Sequence, residues 1–309
     1  MPKLNRRNFL KGSGVVAAAS CLPLKGMANG LLPESASFSE THTVMGCNIR
    51  VALPEDDALG RGWRDRKKSC LTIIKGQKAD LIGFQEVLKV QADDLKKAMP
   101  DYGCFGFEGP EMDVSPETYN GIAKNLVMYA KKRYEMVSAG CYWLSETPEI
   151  AGSKSWNTAR ARHVNWLRLK DRQSGREFRL MAVHLDHKDQ EARNKQGQLI
   201  VRESAQYLPD FPQILVGDFN VTAQNPVYSI ITAGGWKDTY PAIHGDKDPG
   251  ATFHNFEGTN YAKAKTNGKI DFIFTRGKVA ATAASIVYDQ LDGVYPSDHF
   301  FIKAKIVFR

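Results

Sequence analysis

The chain is predicted to adopt an α/β fold, a four-layer α/β sandwich in which two packed mixed β-sheets are flanked by helices. Short apolar, strand-like runs alternate with segments of helical periodicity, and strand pairs of the hairpin type are inserted into that alternation. A hydrophobic content of 42% and a charged content of 25% are ordinary for a globular domain. No linker-like stretch divides the chain beyond its N-terminal region. We therefore expect one domain over residues 42–309.

The N-terminal region has the pattern of an export signal. A basic start, Asn5–Lys11, precedes the short apolar core Val15–Ala19, which is too short to span a bilayer comfortably. The pair Arg6-Arg7 with the following Phe9-Leu10-Lys11 resembles the twin-arginine signal, which the export machinery reads as an address. Asn5 stands where that signal usually has Ser or Thr.

The end of the signal has two interpretations. Gly26-Met27-Ala28 predicts cleavage after Ala28, which gives a signal peptide over residues 1–28 and a tail over residues 29–41. Lipidation at Cys21 is the alternative, although Ala18 is a poor match to that pattern. No other stretch has the length and apolarity of a transmembrane helix. The expected location is exported, either periplasmic or extracellular.

The formal charge of +8 overstates how basic the mature chain is. Residues 1–28 hold five basic and no acidic residues, so the remainder carries +3 (8 − 5). Such a weak basic bias is compatible with an anionic substrate and does not demand nucleic acid.

Four cysteines remain beyond the signal, at positions 47, 70, 104 and 141. An even number in an exported chain allows disulfides. Free, largely buried thiols are the favoured interpretation, because twin-arginine substrates typically fold before export in a reducing compartment. The spacing does not indicate a zinc site.

The individual elements follow from hydrophobic periodicity. The predicted strands are Thr43–Val51, Asp80–Val87, Leu126–Tyr129, Cys141–Leu144, Val164–Leu169, Glu177–His184, Gln213–Val216, Lys269–Thr275 and Phe300–Phe308. The predicted helices are Trp63–Lys75, Val90–Met99, residues 189–207 and Val227–Thr232. Residues 54–62, 101–118 and 145–163 are predicted loops, and the last is long enough to be a binding element.

One strand end carries an unusual pair of polar side chains. Gly217 breaks the apolar run that ends at Val216, and Asp218 and Asn220 then stand two residues apart. In extended backbone their side chains point the same way, at the end of a strand where α/β sheets collect their chemistry. The alternative is an ordinary turn closed by Asx hydrogen bonds.

Polar side chains end six of the apolar runs, namely Asn48, Glu86, His184, the pair Asp218/Asn220, Asp271, and the pair Asp298/His299. Each has an ordinary alternative: Glu86 as a helix cap, His184 as a satisfied buried histidine, and Asp298-His299 as an N-cap with a surface imidazole. Asp271 lies within an apolar strand, where a carboxylate costs several kcal/mol unless it is paired, metal-bound or protonated. One shared site explains all six.

The residue types indicate metal-assisted hydrolysis at phosphorus. Carboxylate and carboxamide oxygens without cysteine ligands suit Mg²⁺, with Mn²⁺ or Ca²⁺ as alternatives, better than zinc. The two histidines and the carboxylates supply a base, an orienting partner and donors to developing charge.

These motifs, in this order, resemble the endonuclease/exonuclease/phosphatase superfamily. The resemblance rests on Asn48, Phe84-Gln85-Glu86-Val87, His184-Leu185-Asp186-His187, Gly217-Asp218-Phe219-Asn220, Ile270–Phe274 and Ser297-Asp298-His299, and it covers residues 42–309. Tyr142–Pro148 with Gly152–Trp156 and Arg162 is similar to an exported bacterial branch near the deadenylases.

The resemblance implies roles for the six groups. Glu86 holds the metal, with Asn48 and Asp298 beside it. Asp218 activates a metal-held water for in-line attack, while Asn220 and His184 face the phosphate. Asp271 fixes the tautomer of His299, which polarises or protonates the phosphoryl group or acts as a base.

The resemblance also implies a substrate side formed by Asn125, Arg162, His187 and Arg193. For His187 and Arg193 a surface histidine and a helix salt-bridge partner are the alternatives. Ala161 precedes Arg162 where this branch usually has Pro, so the loop conformation departs from the family pattern.

The function implied is an exported metal-dependent hydrolase of phosphoester bonds, either a phosphodiesterase or nuclease or a phosphatase. The alternative is a non-catalytic phosphate-ligand-binding protein on the same fold. The substrate is a small molecule or a nucleic acid, and we expect a monomer. Basic side chains and one stacking face for a nucleic acid could come from Lys131–Arg133, Arg160, Lys263–Lys265 and Trp156.

Overall fold

The computed structural model describes residues 40–108, 123–263 and 268–309. Its strands are β1 (Thr41–Asn48), β2 (Leu81–Gln85), β3 (Tyr102–Phe105), β4 (Val127–Ala130), β5 (Tyr134–Trp143), β6 (His163–Asp171), β7 (Glu177–His184), β8 (Gln213–Asp218), β9 (Lys237–Asp238), β10 (Asp271–Arg276), β11 (Val279–Val287) and β12 (Phe301–Phe308). Its α-helices are α1 (Pro54–Asp57), α2 (Trp63–Gly76), α3 (Lys89–Ala98), α4 (Gln190–Ser204), α5 (Pro226–Ala233) and α6 (Thr239–His244). A 3₁₀ turn spans Gly258–Asn260.

The strands form two six-stranded sheets, which confirms the predicted fold class. One sheet has the order β11-β12-β1-β2-β4-β3 and the other β5-β6-β7-β8-β10-β9. Each contains one parallel pair, β1 with β2 and β7 with β8, among antiparallel neighbours. Both sheets are therefore mixed.

Three apolar clusters define the four layers. The middle cluster lies between the two sheets and includes Val44, Leu180 and Val216. The second joins the first sheet to α2 and α3, and the third joins the second sheet to α4 and α5. Burial of both faces explains why β2 and β8 read as continuous apolar runs in the sequence.

The sheets approach each other closely at two glycines. A Cβ on Gly46 of β1 would lie 2.8 Å from the Val216 side chain, and one on Gly83 of β2 would lie 3.1 Å from it. Side chains larger than hydrogen at these positions would push β1 and β2 away from β8. This contact brings the strand ends of both sheets to one place.

The structure corrects several predicted boundaries. Residues 101–118 are not entirely loop, because Tyr102–Phe105 pairs with β4. Residues 54–62 contain the short helix α1, and the strand predicted at Cys141–Leu144 begins at Tyr134. Strand β11 was not predicted, since its Ala-rich sequence has weak β-propensity and it gains its pairing from β12.

The described cysteines are free thiols, with Cys47 and Cys70 fully buried. The predicted signal peptide over 1–28, the Cys21 alternative and most of the 29–41 tail lie outside the described residues. The described residues belong to one compact unit.

Candidate active site

The strand directions deliver polar residues from both sheets to one edge. In the parallel pair β7/β8, His184 stands opposite Asp218. Strand β10 runs antiparallel to β8, so its first residue, Asp271, also stands opposite Asp218. In the other sheet, Asn48 ends β1, Glu86 follows β2, and His299 lies just before β12, which is antiparallel to β1. Glu86, His184, Asp218 and His299 line a cavity of about 430 Å³ at this edge.

Asp218 is the most connected of these residues. Its Oδ1 accepts from the backbone N–H of Asn220 (2.9 Å), and its Oδ2 lies 3.3 Å from His184 Nε2. The Asn220 amide nitrogen lies 3.0 Å from His184 Nε2 and donates to the carbonyl of Leu185 (3.1 Å). Burial and the charge of Asp271 raise the pKa of Asp218 to about 7. Burial also holds the pKa of His184 well below its usual value, so this imidazole is neutral.

Asp271 and His299 form a buried pair next to Asp218. His299 Nδ1 lies 2.9 Å from Asp271 Oδ2, and His299 Nε2 lies 3.8 Å from Asp218 Oδ2. Burial alone would lower the pKa of His299, but the charges of Asp271, Asp218 and Asp298 outweigh it and raise the pKa to about 10. His299 is therefore an imidazolium at neutral pH, with Nε2 directed to the cavity side.

Glu86 adopts a left-handed backbone conformation directly after β2, with φ 64°. Its carboxylate accepts from the backbone N–H of Val51 (2.9 Å) and from the amide of Asn48 (3.1 Å). Burial would raise the pKa of Glu86, but the bond from Val51 and the charges of His299 and Arg50 lower it. The helix-cap alternative is wrong, because the N-cap residue of α3 is Leu88, whose backbone N–H donates to Gln91.

Asn48 donates to two carboxylates at once. Its Nδ2 lies 3.1 Å from Glu86 Oε1 and 3.0 Å from Asp218 Oδ2, and its Oδ1 accepts from the backbone N–H of Arg50 (3.0 Å). Asn48 thus links a carboxylate of one sheet to a carboxylate of the other and fixes their separation.

Asp298 also lines the cavity, and it contacts Arg50. Its Oδ2 lies 3.4 Å from Arg50 Nη1, and its Oδ1 accepts from the hydroxyl of Ser297 (3.2 Å). Burial raises the pKa of Asp298, and the charge of Glu86 acts in the same direction. The alternative of an N-cap with a surface imidazole is wrong, because Asp298 and His299 are buried and a strand follows them.

The residues fit a divalent metal ion. Ligand atoms of Glu86, His184 and Asp218 all lie within 4.8 Å of one another, so of the two predicted carboxylate ligands Glu86 belongs to this group and Asp298 does not. Glu86 raises the pKa of both Asp218 and Asp298 by charge repulsion, which a cation between them would relieve. Oxygen-rich donor sets of this kind suit hard cations.

The arginine loop, defined as residues 156–162, lines the cavity through its residues 160–162 together with His187. Arg162 Nη2 lies 3.2 Å from His187 Nδ1, and burial lowers the pKa of the Arg162 guanidinium. Asn125 also lines the cavity, and its amide donates to the carbonyl of His163 (2.8 Å). Arg160 completes the basic side of this lining.

Asp186 fastens the arginine loop to the end of β7. Its Oδ1 accepts from Ala159 N–H (2.9 Å) and the Thr158 hydroxyl (3.0 Å). Its Oδ2 accepts from the N–H groups of Lys188 (3.0 Å) and Asp189 (2.8 Å). The carboxylate is fully buried, so these four hydrogen bonds replace the ones that water would make to it.

Arg193 is not among the residues that line the cavity. Its guanidinium donates to the carbonyl of Asp186 (3.3 Å) and to the side chain of Gln190 (2.9 Å). It supports the turn before α4, and contact with substrate stays a prediction.

Several residues that line the cavity were absent from the predicted site, among them Arg50 and Phe253. Arg50 follows Asn48 by two residues, and Phe253 lies with its ring centroid 5.2 Å from that of His299. The position of Arg50 next to a predicted strand end is a signal that could have found it, whereas Phe253 lies in a loop without a pattern.

Trp156 packs against the outer core cluster of the second sheet, and Arg133 bonds the start of β1.

Two packed mixed sheets with carboxylates, histidines and asparagines at a shared edge are the fold of the α/β-sandwich class of phosphohydrolases. The chain belongs to the Endonuclease/Exonuclease/phosphatase family, whose family model matches residues 46–299. Members of this family hydrolyse phosphoesters and generally use a divalent metal.

Two of the solved structures similar to this chain come from Bacteroides. An endonuclease/exonuclease/phosphatase of Bacteroides vulgatus is 29% identical with a TM-score of 0.77, and the match covers 87% of this chain and 99% of that one. A mannosyl-6-phosphatase of Bacteroides thetaiotaomicron is 28% identical with a TM-score of 0.76, covering 86% and 100%. Nocturnin of Drosophila melanogaster is 38% identical over 177 residues, which are 55% of this chain and only 26% of that relative.

The model of the twin-arginine translocation signal sequence matches residues 3–23. This match confirms the predicted export signal, and the twin-arginine machinery is the partner that it implies. Among the described residues, the helices are all too short or too polar to cross a membrane.

Proposed function

We propose that the mature chain is an exported, metal-dependent hydrolase of small phosphoesters. The observation that carries the proposal is the cluster in which Asp218 meets Asn48, Asn220 and His184 while the Asp271–His299 pair lies beside it. A general base, a protonated donor and an amide donor face one cavity there. The alternative remains a non-catalytic protein that binds phosphate ligands in the same cavity.

Glu86 and Asp298, with Asn48 beside them, would hold a divalent ion, with Mg²⁺ expected and Mn²⁺ or Ca²⁺ as alternatives. When bound, the ion supplies positive charge that stabilises the phosphoryl oxygens. Asn48 keeps the Glu86 and Asp218 carboxylates at a fixed separation by donating to both.

Asp218 would orient the attacking water and accept its proton, for attack in line with the leaving group. Its fixed bond to the Asn220 N–H leaves Oδ2 as the oxygen on the His184 and His299 side. His299 would donate from Nε2 to a phosphoryl oxygen, since the pKa of about 10 keeps this group protonated. Asp271 holds the ring through Nδ1, so the proton on Nε2 faces the cavity.

The cavity supports a small substrate. A volume of about 430 Å³ is in the range of small-molecule sites. Arg160, Arg162 and His187 line the wall beside Asn125 and would bind the charged or hydroxylated part of the substrate. The basic Arg133 bonds the start of β1, at the opposite end of the sheets, which does not favour a continuous nucleic-acid groove. The similarity to a mannosyl-6-phosphatase makes a sugar phosphate a reasonable first substrate.

Hydrolysis by the mature protein tests the proposal. We expect p-nitrophenyl phosphate and a hexose 6-phosphate to be cleaved faster than bis(p-nitrophenyl) phosphate, with loss of activity in EDTA and recovery with Mg²⁺. Asp218→Asn should lower kcat by about 10²- to 10⁴-fold, the range for removal of a general base.

Asp210→Asn is the matched control, because Asp210 is exposed and pairs with Lys278 on the surface. Its activity should equal that of the wild type. Diester cleavage ahead of the monoester would overturn the substrate assignment. Phosphate binding without turnover of any ester would instead support the non-catalytic alternative.

A further inference from the structure

We propose that Arg50 is a fixed cation that limits this site to one divalent ion. The inference rests on the proposed function, because it assumes that Glu86 and Asp298 hold a metal. Arg50 would act through the carboxylates that it contacts, as a positioning and charge-balancing residue.

The guanidinium of Arg50 bridges two buried carboxylates from different parts of the chain. Its Nε and Nη2 lie 2.8 and 3.4 Å from the oxygens of Asp56 in α1, and its Nη1 lies 3.4 Å from Oδ2 of Asp298. The side chains of Asp56 and Asp298 are only 2% and 5% exposed. Two buried carboxylates this close to one cation would repel each other strongly without it.

The backbone holds Arg50 in this position. Its φ of 56° is left-handed, and its N–H donates to Asn48 Oδ1 (3.0 Å). Its carbonyl accepts from Gln91 Nε2 (2.8 Å) and from Arg66 Nη2 (2.5 Å). Arg66 is itself fully buried and bonds the carbonyls of Ile49 and Pro296. A residue so constrained is a permanent part of the site.

The local charges support one ion. Arg50 already supplies the positive charge between the carboxylates of Asp56 and Asp298, because its guanidinium lies 2.8 Å from the first and 3.4 Å from the second. A second divalent ion at this place would meet the Arg50 guanidinium at short range and would be repelled by it.

Counting bound Mn²⁺ tests the inference without measuring activity. Electron paramagnetic resonance of free Mn²⁺ during titration gives the number of ions that each protein binds. We expect one ion for the wild type and two for Arg50→Met, the second taking the place between Asp56 and Asp298. Arg50→Lys keeps the charge and should bind one.

Arg61→Met is the matched control. Arg61 lies 3.5 Å from the same Asp56, is similarly exposed, and forms no ion pair with Asp298 within the described residues. It should bind one ion. Two ions on the wild type, or one ion on a folded Arg50→Met variant, would overturn the role of Arg50 but not the proposed function. No ion on the wild type would overturn the metal site of the proposed function as well. Should Arg50→Met fail to fold in a thermal scan, Arg50→Gln takes its place, and one ion on that folded variant would overturn the role of Arg50.

Discussion

Replacing Asp186 by Asn would break the attachment of the arginine loop to the end of β7. Each carboxylate oxygen accepts two hydrogen bonds, one pair from the loop residues Thr158 and Ala159 and the other from Lys188 and Asp189. An asparagine offers only one acceptor oxygen. Its NH₂ group must therefore face one of the two donor pairs. Those two donors would lose their acceptor, because the NH₂ group is itself a hydrogen-bond donor.

The magnitude follows from those bonds. Burial would raise the pKa of Asp186, yet the bonds from Asp189, Lys188 and Ala159 outweigh it and lower the pKa, so the group is ionised at neutral pH. Hydrogen bonds to charged groups contribute about 1.5–3 kcal/mol each, so losing one pair should lower the free energy of unfolding by about 3–6 kcal/mol. Because the carboxylate is fully buried, water cannot replace the lost partners.

Urea unfolding of Asp186→Asn and Asp189→Asn measures this difference. Asp189 is the N-cap of α4 and accepts from Ala192 N–H (2.7 Å). Asparagine caps helices about as well as aspartate, so the control should stay within about 0.5 kcal/mol of the wild type. Thr158→Val, which removes one bond of the set, should be intermediate, at about 1.5–3 kcal/mol. Equal stability of the two Asn variants would refute the attachment.

The same variant predicts a kinetic signature. Arg160 and Arg162 lie on the loop that Asp186 holds, whereas Asp218 lies on the other side of the cavity. Under native conditions we expect Asp186→Asn to raise KM for the phosphoester more than it lowers kcat, because the arginines bind rather than react. A fall confined to kcat would show that the loop acts on the chemical step, contrary to this reasoning.

Two further predictions concern the histidines. Asp271→Asn should lower kcat/KM by about 10- to 100-fold, because it removes the carboxylate that orients His299, whereas the exposed Asp248→Asn should leave the rate unchanged. Burial lowers the pKa of His42 and His254 to about 4, so the folded state keeps them neutral while the unfolded chain protonates below about pH 6.5. Each histidine therefore contributes to the free energy of unfolding above pH 6.5, and this contribution is lost as the pH falls through about 4. The full loss is about 3 kcal/mol for each histidine. Urea unfolding at pH 7 and pH 4.5 measures this loss, and His42→Gln should reduce it; equal stability at both pH values would contradict the assignment.

The strand ends could be predicted because period-2 and continuous apolar patterns are local. Glu86, His184, Asp218 and Asp271 each follow or begin such a run, and sheet pairing then brings them together. The resemblance to the family supplied the order of these motifs. The direction of each strand could be predicted only in outline. It is this direction that brings Asp271 opposite Asp218 in the antiparallel pair of β10 and β8.

The contacts of Asp186 and Arg50 could not be read from the sequence. Asp186 bonds residues 27 and 28 positions before it, and Arg50 meets Asp298 nearly 250 positions later. Neither side chain lies in a repeating pattern, so only the closed fold reveals its partners. Strand β11 was missed for a related reason, since an Ala-rich edge strand owes its existence to β12 rather than to its own propensity.

Backbone conformation is the feature of the site most remote from sequence patterns. Arg50, Glu86 and Asn220 adopt φ values of 56°, 64° and 52°, a region that costs non-glycine residues about 1 kcal/mol or more. Each is held there by bonds to groups of the site: Arg50 through Asn48, Glu86 through Val51, and Asn220 through Asp218. Local propensity opposes this conformation at Arg50 and Glu86, whereas asparagine tolerates it, so the closed network must supply the energy that keeps Arg50 and Glu86 in place. This strain turns the side chains of Glu86 and Asn220 into the cavity directly after β2 and β8, where an extended backbone would send them elsewhere.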